Sequence, residues 1–162
     1  MDVGSKVIYP SQGPCVVDSI VNREVAGNPV SFYRLMLLDD SGGELLVPVE
    51  RVKTIGLRDL LKKAEIPELL GQLALPGQTA KSWKQRIQDN MKLLMSGSAF
   101  DLAEVVESLT QLNENKSLSF RENWMLEKAK RLLVCEVSEV LGETKVAAEE
   151  KINFALKSRT AV

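Results

Sequence analysis

The spacing of apolar residues changes near residue 55, and this change constrains the fold more than any other feature of the chain. Up to about residue 53, short runs of β-branched and aromatic residues are separated by turn-forming residues such as Pro10 and Gly42, at intervals of about ten residues. From residue 55 onward, apolar residues recur every three or four positions, which is typical of one face of a helix. The sequence therefore predicts an α+β protein made of two units.

The first unit, residues 1–56, is predicted to be all β. Its apolar runs lie at 6–9, 15–21, 32–38 and 45–47. These runs are too few for a sandwich of two full sheets, so we expect a compact, strongly bent barrel of four or five strands. A barrel this small leaves an open strand edge that can pair with another protein. The segment 44–48 ends in a proline and fits an edge strand, although its pattern fits a last core strand equally well.

The second unit, residues 57–162, is predicted to be an all-α bundle of about five helices. Three serines mark helix starts because a polar or acidic residue follows each of them three positions on: Ser82 with Gln85, Ser98 with Asp101 and Ser119 with Glu122. The segment 74–80 contains a Pro-Gly pair that interrupts the helical pattern. Gly142 is predicted to end the longest helix.

Histidine is absent from the 162 residues, and only two cysteines, Cys15 and Cys135, are present. The lack of histidine excludes histidine-based triads, histidine general bases and histidine-ligated metal sites. Each cysteine lies in an apolar pattern and is interpreted as a small buried hydrophobic residue. Carboxylate pairs such as Asp101 and Glu104 are typical of a solvated helix face, and no nucleotide-binding loop is visible. We therefore predict no catalytic residue, no metal, no cofactor and no enzymatic activity.

The charge distribution does not fit a free-standing nucleic-acid-binding protein. The formal net charge is −1, whereas such proteins are usually basic. The local exception is the segment 81–92, with a net charge of +3 from Lys81, Lys84, Arg86 and Lys92 against Asp89. No run approaches the roughly 20 apolar residues of a membrane span, and the N-terminus lacks the basic and apolar regions of a signal peptide. A cytoplasmic location without membrane contact is expected.

Trp83 allows two interpretations. It lies four residues before Ile87 and extends the apolar stripe of that helix, a pattern that favours packing in the core. It also falls in the first turn of the helix, among lysine and arginine residues. An exposed aromatic side chain surrounded by cations at a helix N-terminus suits stacking on a base beside phosphates, or wedging into a minor groove. Trp124, which precedes Met125 and Leu126 in a long helix, is assigned to the core.

A series of short motifs runs in order along nearly the whole chain. It begins with GSKVIYPSQG at 4–13 and continues with AG and FY within 26–33, VPVE at 47–50 and IGLR at 55–58. The helical half adds W-x-x-R at 83–86, SG at 96–97, AEVV at 103–106, LS at 118–119 and MLEKAKRLL at 125–133. The series resembles the CarD/CdnL-type family of bacterial transcription regulators, whose opening motif is GDxVVYPxxG.

The resemblance implies a Tudor-like β domain, shared with the RNA-polymerase-interacting domain of transcription-repair coupling factors. It implies docking on the first lobe of the polymerase β subunit, partly by pairing of edge strands. The polymerase-contacting residues would be Arg23, Val25, Leu45, Leu46, Val47 and Pro48. The helical domain would touch promoter DNA at the upstream edge of the bubble. Its DNA-contacting residues would be the wedge Trp83 and the neighbouring Lys81, Lys84 and Arg86.

These expectations form one hypothesis: the protein binds RNA polymerase, is monomeric when bound, and stabilises the open promoter complex. A first alternative is a protein–protein scaffold, in which a β adaptor module and a helical bundle bind other proteins without DNA contact and Trp83 lies in the core. A second alternative is an enzyme with a site between the two units. That enzyme would need a buried carboxylate cluster with a bound metal, which the sequence does not indicate.

Overall fold

A computed structural model describes residues 1–75 and 82–158 of the chain. The chain divides into two compact units, of which the first spans Met1–Leu60 and the second begins at Leu61. The sequence pattern places this boundary after residue 56. The first unit extends further because Arg58–Asp59 forms a short strand that pairs with the first strand of the sheet.

The first unit is built on five antiparallel strands. They are β1 (Lys6–Tyr9), β2 (Gly13–Val25), β3 (Asn28–Leu37), β4 (Glu44–Pro48) and β5 (Arg58–Asp59). Their order in the sheet is β4-β3-β2-β1-β5. A 3-10 turn at Val49–Arg51 and the short helix α1 (Val52–Ile55) lie between β4 and β5 along the chain.

A long hairpin of β2 and β3 forms the middle of the sheet. Ala26 and Gly27, with φ angles of 52° and 80°, make its two-residue turn in the left-handed backbone region that tight hairpins require. Pairing begins with Val25 opposite Asn28, and a register shift marks a bulge further along β2. Near the turn both strands are exposed, so this part of the hairpin projects from the core.

The sheet is open, and this corrects the predicted barrel. Closure would require β4 to pair with β5, but within the described residues these strands are the two edges of the sheet. β5 has two residues and offers too few backbone groups for a second ladder. The core of the unit is formed by Val7, Cys15, Val17, Tyr33, Leu35 and Val47.

Cys15 is fully buried in this core, as interpreted from the sequence. Burial raises the pKa of its thiol from 9.0 to about 11, and the nearby charge of Asp39 acts in the same direction. The folded protein therefore keeps the thiol proton at pH values where the unfolded chain loses it, so stability falls as the pH rises above 9. We expect this thiol to account for a loss on the order of 2 kcal/mol between pH 9 and pH 11.

Urea unfolding of the wild-type protein and of Cys15→Ala at pH 8.5 and pH 10.5 measures this contribution. The variant shares every other ionisable group with the wild-type protein, so the difference between the two isolates the contribution of Cys15. The wild-type protein should lose more stability than the variant on alkalinisation. An equal loss in both proteins would contradict the assignment to Cys15.

The second unit is helical. Its helices are α2 (Ile66–Leu73), α3 (Trp83–Met95), α4 (Ala99–Asn115), α5 (Phe120–Leu141) and α6 (Lys145–Ser158). With α1, the described residues contain six α-helices, so the predicted count of about five is corrected to six. The sequence pattern does not predict α1, because its four residues are too few to show a helical period.

The helix starts lie where the serine caps predict them. The side-chain oxygens of Ser82, Ser98 and Ser119 accept the backbone N–H three residues further on, at 3.3, 3.3 and 3.2 Å. Gly142, with a φ of 64°, follows the last residue of α5. The box predicted at α3 is half formed, because the side chain of Gln85 donates to Asp89 instead, at 2.9 Å.

Helices α4 and α5 supply most of the buried residues of the second unit. Leu109 on α4 and Met125, Leu133 and Val137 on α5 are among its fully buried side chains, and Cys135 is also buried, as interpreted. Leu61, the first residue of the second unit, is tied to α5. Its backbone N–H donates to the buried carboxylate of Glu136, at 2.9 Å. Across residues 1–75 and 82–158, no helix combines the length and apolarity that crossing a membrane requires.

Candidate functional site

Trp83 is the first residue of α3, and its side chain is 54% exposed. Ile87 and Leu94, further along the same stripe, are buried. The stripe therefore reaches the core only after the first turn of the helix, and Trp83 lies before it. The core-packing interpretation of Trp83 is wrong, and its indole is accessible to a ligand.

Trp83 borders a groove of about 500 Å³ within the helical unit. The groove is lined by Ser82, Trp83, Arg86, Leu112, Lys116, Ser117, Leu118, Ser119 and Glu122. The N-caps of α3 and α5 are therefore on the same groove, together with the exposed Lys116. The first turn of α3 contains no acidic residue, so the positive end of its helix dipole is not offset locally. This end of α3 favours a negatively charged group beside the indole.

Arg86 lines the same groove but has a protein partner. Its Nε lies 3.4 Å from Oε2 of Glu122, and the two side chains are 13% and 2% exposed. The other oxygen of Glu122 accepts hydrogen bonds from the backbone N–H and the hydroxyl of Ser119, at 3.4 and 3.1 Å. Arg86 thus ties the first turns of α3 to the cap of α5. This contact fixes the base of the groove, and the DNA contact predicted for Arg86 stays a prediction.

The other two predicted cations differ in what the structure describes. Lys84 is exposed and directly follows Trp83. Lys81 lies outside the described residues. Within the described part of the site, Lys84 and Lys116 are therefore the exposed cations that flank Trp83 along the chain and across the groove.

Trp124 is 46% exposed, so its assignment to the core is wrong. Met125 and Ala129 take the core positions instead, with no exposed area. The Nζ of Lys128 lies 5.3 Å from the centroid of the Trp124 ring, a cation–π contact. Phe120, which the sequence interpretation did not single out, is 90% exposed at the first position of the same helix.

β4 is an edge strand, as one of its two interpretations expected. Leu37 donates its N–H to the carbonyl of Gly43, at 2.8 Å, and the ladder continues with Leu35 opposite Leu45. Because hydrogen-bonded pairs alternate in an antiparallel ladder, the backbone groups of Leu46 point away from β3. Leu46 is 37% exposed, whereas the next residue, Val47, is buried.

The predicted polymerase-contacting residues lie at one end of the sheet. Pro48, at the end of β4, pairs with Phe32 on β3. Arg23 on β2 pairs with Val30, two residues nearer the hairpin turn, and both Arg23 and Val25 are exposed. The edge of β4 and the projecting hairpin are therefore neighbours. Leu45 and Val47 face the core instead, so their contribution to such a surface is through the backbone.

The enzyme alternative requires a cluster of carboxylates that can hold a metal ion. Residues 1–75 and 82–158 contain no group of three or more histidine, cysteine, aspartate or glutamate side chains placed to hold a metal ion. The exposed features described above are an indole, a groove with two helix N-termini and a strand edge. These features suit binding to a macromolecule.

Comparisons with known proteins match both units. The domain family described as "CarD-like/TRCF RID domain" matches residues 1–61, and "CarD, C-terminal domain" matches residues 68–153. The Bacillus subtilis (strain 168) protein named "Putative transcription factor YdeB" is 22% identical over 144 residues, which are 88% of this chain and 93% of that protein. The solution NMR structure of the 72-residue N-terminal domain of Myxococcus xanthus CarD is 39% identical, covering 36% of this chain and 77% of that domain, with a TM-score of 0.32. The two family matches meet within a few residues of the boundary at Leu61.

Proposed function

The chain belongs to the CarD-like family of transcription regulators, and from this premise we propose that it binds RNA polymerase through its first unit and stabilises the open promoter complex through its second. The observation that carries the proposal is the exposure of Trp83 at the start of α3, a helix whose first turn contains no acidic residue. The scaffold alternative places this ring in the core, and the exposed ring does not support it. Action on promoter DNA would place the protein in the bacterial cytoplasm, as a monomer on the polymerase.

The polymerase contact is proposed for the open edge of β4 and the adjacent hairpin. Backbone N–H and C=O groups on an open edge can extend into a partner's sheet, which gives affinity without a deep pocket. Leu46 and Val25 add exposed apolar area there, and Arg23 adds a charge. The proposed partner is the first lobe of the β subunit, offering a strand edge of its own.

The DNA contact is proposed for Trp83 and Lys84, with Lys81 as a further candidate. An indole inserted at a minor-groove step holds two bases apart, and the unstacking costs a few kcal/mol. At the edge of the bubble the DNA is already melted or distorted, so inserting the indole there requires no further unstacking energy. The wedge therefore binds the open complex more tightly than the closed one. Each 1.4 kcal/mol of this difference shifts the equilibrium about tenfold toward the open form.

The charge of the protein fits a contact that depends on the polymerase. A net charge of −1 with one +3 segment gives weak binding to DNA alone, because the affinity of such contacts comes mainly from phosphate neutralisation. Attachment of the first unit to polymerase converts the DNA contact into an intramolecular one at high effective concentration. A weak wedge is then sufficient.

Leu46→Pro in the full-length chain tests the proposed edge pairing. Proline removes one backbone N–H, and at residue 46 this N–H points away from β3, so the internal ladder keeps its hydrogen bonds. We expect at least a tenfold loss of retention on immobilised RNA polymerase, with a matching loss of the effect on open-complex lifetime. The melting temperature should change by only a few degrees.

Leu46→Val is the matched control, because it keeps the backbone N–H and places a strand-forming apolar side chain at the same position. It should retain polymerase binding within about twofold. Full retention of Leu46→Pro on polymerase would contradict edge pairing as the mode of attachment.

A further inference from the structure

The exposed face of α5 carries aromatic and basic side chains that the proposed function does not use. Phe120 is 90% exposed and Trp124 is 46% exposed. The two rings are four residues apart, so they lie one above the other on the same helix face. Three cations lie along the same exposed face, and together these residues form what we call the α5 ridge: Phe120, Arg121, Trp124, Lys128 and Arg131.

Within the described parts of the chain, no carboxylate forms an ion pair with a cation of the α5 ridge. Among residues 1–75 and 82–158, neither Lys128 nor Arg131 forms an ion pair, whereas Lys130, on another face of α5, lies 3.9 Å from Glu149. Partial burial lowers the pKa of Lys128, and the charge of Arg131 adds to this effect. One acidic residue, Glu127, is exposed along the same turns. Its single negative charge is outnumbered by the three cations, so the face is positive. Two like charges held beside an indole favour an anionic ligand.

We propose that the α5 ridge binds single-stranded DNA, with unpaired bases stacking on Phe120 and Trp124 and the backbone phosphates contacting the three cations. Exposed aromatic rings beside positive charge are the combination that binds single strands with little sequence preference. In a duplex, each base is covered by its neighbours, so such rings favour an unpaired strand. This activity goes beyond the proposed function because it requires neither polymerase nor Trp83.

The shape of the α5 ridge distinguishes a nucleic acid from a membrane surface. An interfacial helix needs a broad apolar face, but the opposite side of α5 is buried in the core through Met125, Ala129 and Leu133. The ridge therefore offers two rings and three cations along a narrow line. That arrangement matches a chain of alternating bases and phosphates better than a lipid layer.

Fluorescence of Trp124 provides a direct test in the full-length protein. The chain has two tryptophans, so Trp83→Phe leaves Trp124 as the sole indole. Titration with an oligothymidylate of about 12 nucleotides at low salt should quench its emission saturably. A duplex of the same length should bind at least several-fold more weakly. In this background, Phe120→Ala should weaken single-strand binding about tenfold, and Lys128→Gln should reduce the slope of log affinity against log salt by about 0.7.

Phe154→Ala is the matched control, because Phe154 is 74% exposed on α6, away from the ridge. It should bind the oligonucleotide as tightly as its parent, and Phe120→Ala should keep the parent's melting temperature because its ring is exposed. The proposal is overturned by equal affinity for duplex and single strand, by an unchanged affinity in Phe120→Ala, or by a response to phosphatidylglycerol vesicles without a response to DNA. The measurement contains no polymerase, so its failure leaves the role of Trp83 in open complexes intact.

Discussion

Open promoter complexes formed with the Trp83→Ala variant are expected to decay about ten times faster than those formed with the wild-type protein. A stack between a base and an aromatic ring contributes about 1–3 kcal/mol, and a difference of 1.4 kcal/mol corresponds to a factor of ten. The indole is 54% exposed, so its removal should shift the melting temperature by only a few degrees. The decay is measured after addition of a competitor that captures free polymerase, and the melting temperature by circular dichroism.

Two further variants separate the wedge from a general loss of apolar surface. Trp83→Phe keeps a flat ring and should give an intermediate lifetime. Phe154→Ala removes an exposed ring from another helix, α6, and should give the wild-type lifetime. Equal lifetimes with Trp83→Ala and the wild-type protein, at saturating protein, would exclude the wedge.

Arg86→Ala is expected to lower the free energy of unfolding by about 3 kcal/mol. Breaking a buried ion pair typically costs about 3–5 kcal/mol, because the remaining charge is left without a partner. Here the remaining charge is Glu122, which is 2% exposed, while the 13% exposure of Arg86 places the cost at the lower end. For a unit of this size, 3 kcal/mol corresponds to a fall in melting temperature of roughly 10 °C or more. Thermal and urea unfolding of the full-length chain measure it.

The partner of Arg86 offers an internal check. Glu122→Gln removes the charge but keeps an oxygen that can accept from Ser119, so its combination with Arg86→Ala should recover part of the lost stability. Lys84→Ala, two positions away and exposed, should cost less than about 0.5 kcal/mol. If Arg86→Ala and Lys84→Ala were equally stable, the ion pair would have no structural role.

Features set by local chemistry were predictable from the sequence. A serine cap depends on residues only three positions apart, so Ser82, Ser98 and Ser119 mark the starts of α3, α4 and α5 without knowledge of the tertiary structure. The change from short β runs to a helical period likewise separates the two units to within a few residues of Leu61. The edge position of β4 was one of two interpretations that the sequence allowed. The proline at its end indicated an edge strand, but its apolar pattern fitted a core strand equally well.

Features set by distant contacts were not predictable in the same way. Whether the sheet closes depends on the length of β5 and its distance from β4, and neither leaves a periodic pattern. Arg86 and its partner Glu122 are 36 positions apart, so the sequence indicated a cation available to DNA and gave no sign of the ion pair. For Trp124 a signal was present. It lies five residues before Ala129, roughly 140° around the helix from that core position, which indicates an exposed side chain.

The proline that closes β4 limits how long a ladder any added strand can form there. Only the outward groups of Glu44 and Leu46 and the carbonyl of Pro48 are available, and each hydrogen bond contributes about 1 kcal/mol net. A ladder of so few hydrogen bonds favours rapid dissociation and rebinding of the partner strand over a permanent complex. With the proposed edge pairing as the mode of attachment, the protein would dissociate and rebind readily, so its occupancy on the polymerase would follow its concentration.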